Sequence, residues 1–337
     1  MKKFISAIGL AAIITGGAYA KDPPPYGENL FLLGFPGFIA NAASTVGGGL
    51  YDAGPYSINM NPALTAPLQR VSADLGASIM TGDADAGFAF LAGALLPSRW
   101  GVWTGVLQGA FMEAPLYPPG NTFSGHFGWA RDVTENLYAG VSIFAGATSK
   151  YGDNFAAGLD LGFVYRIGNL SFLKDARVSA AVANIGKTFS NDAFDNFPGV
   201  FTVKGGFAAV LFENDKFSAG FSADLAIPTF KNALLSLGAE LGIVKIITVS
   251  LGWDMNIWEL VHEIGPHTPF LGIAVKWTAN TGGSDILMKQ GWEKTDLSVS
   301  TLYQRLDDKT NLFSAGLSAE FGSIDKDPPV IKLGEAE

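Results

Sequence analysis

Three histidines, His126, His262 and His267, with Glu263 beside the second, are the residues of this 337-residue chain best suited to hold a metal or move a proton. In "HEIGPH" the two histidines stand five positions apart rather than the four that place two ligands on one helix face, and Gly265 and Pro266 would break that helix. Ser124, His126 and Asp132 have the composition of a hydrolase triad. On an extended strand, however, Ser124 and His126 only share a face, and nothing supplies an oxyanion hole. Gly47, Gly48 and Gly49 lack the Lys-Ser/Thr of a phosphate-binding loop and read as a turn. No catalytic residue, metal site or cofactor is assigned.

The residues left to carry a function are apolar ones in an unusual setting. Residues 29–69 hold a single charge, Asp52. They contain Phe31, Leu32, Leu33, Phe35, Phe38 and Ile39, then the three glycines, Met60, and prolines at 55, 62 and 67. The stretch neither alternates like a strand nor avoids helix breakers, and left in water it would expose a large apolar patch. What shelters it decides the fold.

Residues 1–20 read as a secretory signal peptide: Lys2 and Lys3, an apolar run, then Ala18-Tyr19-Ala20 as the cleavage site. The chain has no cysteine, which excludes disulfides, thiolate metal sites and a lipid-bearing N-terminal cysteine. Only 16% of residues are charged and 48% are hydrophobic, whereas a soluble domain is about a quarter charged. A formal net charge of -9 argues against nucleic acid as a partner. No run of about twenty apolar residues free of breakers follows the signal, so the remaining way to span a bilayer is a closed barrel.

From Arg70 onward the chain alternates with period two. Phe217, Ala219, Phe221, Ala223 and Leu225 fall on one face, and Ser218, Gly220, Ser222 and Asp224 on the other. The same split recurs around Leu159, Leu237 and Val249. The pattern predicts an all-β, transmembrane antiparallel barrel of about fourteen strands over residues 70–322. Short turns at 97–99, 132–135, 214–215 and 244–245 belong to the periplasmic end, and long connections at 114–121, 187–198 and 256–267 to the outside. The connection 280–294 is long for a periplasmic turn. Trp100, Trp129, Tyr138, Trp253, Trp277, Tyr303 and Phe321, near strand ends, are expected to form an interfacial belt.

Inward-facing positions are mostly small, which leaves room for residues 21–69 as an N-terminal hatch in the lumen. Asp74, Asp160, Arg166, Lys204, Asp224, Glu240, Lys276 and Glu320 face the same way and are candidates to hold it. Within the hatch, Asn61-Pro62 is expected to fix a turn. Phe31, Leu32, Leu33, Phe35, Phe38, Ile39 and Met60 are the candidate ligand contacts. Residues 323–337, charged and Pro-containing, read as a periplasmic tail.

The run "GGGLYDAGPYSINMNPALTAPLQRVSADL" resembles the opening segment of the FadL/TodX-like outer-membrane transport superfamily and its PorV/PorQ-like branch, with Asn61, Pro62 and Ala63 as the matching element. "VSAAVANIGK", "LSLGAELGIVKIITVSLGWD" and "LFSAGLSAEFG" resemble later strands of that branch, in the same order. The resemblance implies an outer-membrane channel for hydrophobic small molecules such as long-chain fatty acids, gated by the hatch. Its alternative implication is a non-transporting scaffold or shuttle for secreted proteins, with a periplasmic or secreted protein partner.

Overall fold

A computed structural model describes residues 35–37, 44–50, 53–82, 87–112, 120–149, 154–190, 197–230, 232–261, 269–280, 294–305 and 310–322. The signal peptide, Phe31, Leu32, Leu33, Phe38, Ile39, His262, Glu263, His267 and the tail lie outside the described residues.

Alternation becomes strand wherever it is sustained. The strands are β1 (Val71–Gly82), β2 (Gly87–Ser98), β3 (Gly101–Met112), β4 (Thr122–Thr134), β5 (Leu137–Thr148), β6 (Asn154–Leu170) and β7 (Leu173–Lys187). They continue as β8 (Thr202–Glu213), β9 (Phe217–Ile227), β10 (Leu234–Ile243), β11 (Ile247–Asn256), β12 (Phe270–Asn280), β13 (Lys294–Arg305) and β14 (Thr310–Phe321). Each pairs antiparallel with its neighbours in sequence, and β1 pairs with β14 from Val71↔Phe321 to Gly82↔Thr310, which closes the barrel and leaves no free edge. Their number is the fourteen expected, and they run from Val71 to Phe321 within the expected 70–322.

One face of every strand meets an apolar surround. Leu75, Ile79, Phe123, Phe127, Ile143 and Phe155 are each more than half exposed, an arrangement stable in lipid and not in water. Their neighbours Asp74, Ser78, Ser124, Ser142 and Asp160 point inward and are buried. The ladder is interrupted between Leu159 and Leu161, where β7 carries an extra residue; Asp160 Oδ1 accepts from Asn184 N at 2.7 Å there, with Asn184 at φ 60°.

Tight turns join strands at residues 99–100, 135–136, 171–172, 214–216 and 244–246, and both barrel termini, Val71 and Phe321, lie at that end. It is the periplasmic end by the rule that such barrels keep their turns short there. At the other end the connection after β11 begins with a one-turn helix, Ile257–Val261, where the sequence suggests only a loop.

Tyr138 corrects the belt. It is buried and faces the lumen, where its hydroxyl accepts from Arg166 Nη1 at 3.2 Å. Position near a strand end is the wrong guide for it, because its parity is that of Ser142 and Phe144, both inward. Trp100, Trp253, Trp277 and Tyr303 are exposed on the outer face, with Trp129 and Phe321 half-buried on the same face.

Candidate functional site

The barrel is filled. Residues 53–69 lie in its lumen as two short 3-10 helices, Pro55–Asn59 and Pro62–Thr65, each with a proline at the start, where its fixed φ fits and its missing N–H costs nothing. Asn61 joins the two. Its Oδ1 accepts from Ala63 N at 3.0 Å, capping the second helix, and its Nδ2 donates to the Thr45 carbonyl at 2.9 Å and the Phe163 carbonyl at 3.3 Å.

The wall is shaped to receive these turns. A Cβ at Gly162 of β6 would stand 1.8 Å from Asn61 Oδ1, and one at Gly140 of β5 would stand 2.5 Å from the Pro62 carbonyl carbon. Ile58, Met60 and Leu64 share one buried apolar cluster with Leu91, Val106 and Phe144 of the wall. Phe35 stacks on Tyr56, ring centroids 4.8 Å apart.

Residues 44–50 are held differently, by polar groups of β7, β9 and β10. Asp224 Oδ1 accepts from Thr45 N at 2.7 Å and from Thr45 Oγ1 at 2.6 Å. The Ser44 hydroxyl also faces this carboxylate. With its proton on Asp224, Thr45 Oγ1 accepts in turn from Ser179 Oγ at 2.6 Å. Arg177 Nη2 donates to the Gly48 and Gly49 carbonyls at 2.9 and 3.0 Å, and Leu50 N donates to Glu240 Oε2. On the β1 side Tyr56 N donates to Asp74 Oδ2 at 3.0 Å. At the end of the segment Arg70 pairs with Asp296 and, at 3.2 Å, with Glu320, whose other oxygen lies 3.4 Å from Lys276 Nζ.

This segment stands between two cavities. The periplasmic one, about 260 Å³, is lined by Phe35, Tyr56, Arg70, Asp74, Lys276 and Glu320 among others. The outer one, about 80 Å³, is lined by Asn59, His126, Phe144, Asp160, Lys204 and Asp224 among others. On the lipid side of β2–β5 an apolar groove of about 640 Å³ runs past Ala94, Gly105, Leu107, Gly125, Ile143 and Ala145. His126 and Phe144, stacked at 5.5 Å, border both the outer cavity and this groove.

No family model matches the chain, and no curated protein sequence matches it. Solved structures do. The Pseudomonas putida toluene transporter TodX superposes with a TM-score of 0.50 at 10% identity, over 86% of this chain and 98% of that one. The chain has the fold of TodX. A Pseudomonas aeruginosa FadL homologue, also 10% identical and with the same coverage, gives a TM-score of 0.48. The TodX-like fold and the apolar outer face together make this an outer-membrane β-barrel.

Within that TodX-like barrel the eight inward charges expected from the sequence are put to different uses. Asp74, Asp224 and Glu240 touch the lumenal segment directly, and Glu320 does so through Arg70. Asp160 serves the wall, accepting from Ser142 Oγ at 2.9 Å and from the Asn184 backbone. Arg166 lies at the periplasmic rim with Asp175, 3.0 Å away, and Tyr138. Lys204 lines the outer cavity and Lys276 the periplasmic one. Of the candidate ligand contacts that are described, Phe35 borders a cavity, whereas Met60 is packed in the apolar cluster and lines neither.

Sequence reasoning misses Arg177, Ser179, Gln108 and Asp296. Arg177 is legible in hindsight, since its neighbour Val178 belongs to the outward parity and an arginine beside it points inward; Thr45 is not, because its stretch has no period. Ser124 and His126 share the lumenal face as expected, and Asp132, eight residues further along β4 and exposed, lies about 26 Å from Ser124 at strand rise, so the three do not converge.

Proposed function

We propose that the protein is an outer-membrane channel for hydrophobic small molecules, with residues 44–69 acting as a hatch that must shift for passage. The reading rests on one observation above all: a polar-tied irregular segment separates an outer from a periplasmic cavity inside a closed barrel. Such a channel needs only a pocket that favours the ligand and a barrier that responds to it. TodX, a solved structure sharing this fold, is described as a toluene transporter, and hydrophobic cargo is carried over from it by analogy. Long-chain fatty acids are the cargo class implied by the sequence resemblance.

The route runs through the hatch in preference to the wall. Beside the outer groove the ladder is intact, with Val106↔His126 and His126↔Phe144 paired, so a side exit there would require backbone hydrogen bonds to break in lipid. The scaffold alternative places its docking element in the outer loops or the tail, and the tail lies outside the described residues.

Native mass spectrometry of the protein extracted from its own outer membrane in mild detergent tests the proposal. The expected result is a retained small hydrophobic molecule. A stoichiometric protein partner with no small molecule would replace the channel by the scaffold.

A further inference from the structure

The outer cavity carries more chemistry than a purely apolar cargo requires. Asp224 is 6% exposed, and while its Oδ1 holds Thr45 and the Ser44 hydroxyl stands near the carboxylate, its Oδ2 makes no hydrogen bond among the described residues. Asn59 Oδ1 and His126 Nδ1 are likewise buried without a partner among them, while Asn59 Nδ2 is committed to Gln108 Oε1 at 2.8 Å. All three residues line the same 80 Å³ space. A buried acceptor left without a donor is destabilising, so three in one cavity mark a place where something else completes them.

Two of the three are acceptors only: a carboxylate oxygen and an amide oxygen. The third, an imidazole nitrogen, accepts when it carries no proton. The charges in the lining run the same way, two carboxylates, Asp160 and Asp224, to one cation, Lys204. Phe144, Ala183, Pro198 and Leu234 supply the apolar remainder. At about 30 Å³ per water-sized group, the space takes a head group rather than a whole chain.

We infer that the outer cavity is a subsite for the head of an apolar ligand that donates hydrogen bonds, an alcohol, phenol or ammonium, received by Asp224 Oδ2 with Asn59 and His126. A carboxylate head is disfavoured there, because it brings acceptors to acceptors and a negative charge to a net negative lining. The inference rests on the proposed channel function and narrows its cargo. Since the other oxygen of Asp224 anchors Thr45, the same side chain meets both the ligand and the hatch.

The test uses the full chain in lipid nanodiscs and three chain-matched probes, 1-octanol, octylamine and octanoate, titrated by calorimetry against wild type and Asp224→Asn. The asparagine keeps an oxygen for Thr45 and turns an NH₂ to the cavity. Octanol and octylamine are expected to bind wild type at least tenfold more tightly than octanoate, with that preference lost in the variant. Equal or tighter binding of octanoate to wild type, or an unchanged preference in Asp224→Asn, overturns the head-group inference and leaves the channel intact. No saturable binding of any probe to wild type overturns both. Should Asp224→Asn fail to fold, judged by heat-modifiable gel mobility, Asn59→Leu takes its place: a threefold or greater loss of octanol affinity supports the subsite, and no loss overturns it.

Discussion

The two sides of the lumenal segment are fastened by different physics. Against β4–β6, residues 58–64 are fixed by shape: Asn61 enters the space left by Gly162, Pro62 that left by Gly140, and Ile58, Met60 and Leu64 pack into the apolar cluster. Against β7–β10, residues 44–50 are held mainly by separate polar contacts to Asp224, Ser179, Arg177 and Glu240, with one close backbone fit, Gly49 against Gly220. Close packing fails as a unit, because the interior cannot deform continuously, whereas hydrogen bonds exchange singly with water or with a ligand. Under the proposed function, the half held by polar contacts is the half expected to shift.

The comparison can be broken most forcefully on the packed side. Gly162→Leu drives a side chain into Asn61 and is expected to lower barrel stability by about 3 kcal/mol, read from the denaturant midpoint of heat-modifiable gel mobility. A wild-type midpoint would mean that Asn61 is not seated there. Asn61→Ala removes the cap and the bonds to Thr45 and Phe163 at once and should cost about 2 kcal/mol by the same measurement.

Substitutions on the polar side should separate stability from permeation. Arg177→Met releases the Gly48 and Gly49 carbonyls and is expected to cost about 1.5 kcal/mol while raising the frequency of open events in planar bilayers. An unchanged conductance record would place the moving element elsewhere. Ser179→Ala, which removes one donor to Thr45, should show the smallest effect, about 0.5–1 kcal/mol, with a modest rise in open events. If Ser179→Ala destabilised the barrel as much as Gly162→Leu, the division into a packed and a polar side would be wrong.

The strands were legible because the two surrounds differ. Lipid outside and a small-residue lumen inside impose period two on each strand, and a one-residue slip would reverse every side chain, so parity is readable wherever it persists. Tyr138 shows what happens when end position is allowed to outrank parity. The lumenal segment was legible as an apolar stretch in need of shelter, and Asn61-Pro62 as a turn, because capping is local chemistry. Its seating was not. Thr45 meets Asp224 across 179 positions, and an irregular segment offers no period from which to derive such a partner. Glycine in the lumen signals space, but nothing in the sequence says that Gly162 is the one that receives Asn61.

The central claim is that the segment must leave its polar contacts for cargo to pass, and a reversible lock tests it most directly. Thr45 Oγ1 and Ser179 Oγ stand 2.6 Å apart, close enough for a disulfide of about 2.05 Å, and the chain has no cysteine to compete. Cells carrying Thr45→Cys/Ser179→Cys are assayed for uptake of radiolabelled 1-decanol before and after reduction. Uptake near background when oxidised, restored on reduction, is the result expected; wild-type uptake with the disulfide confirmed closed would contradict the account.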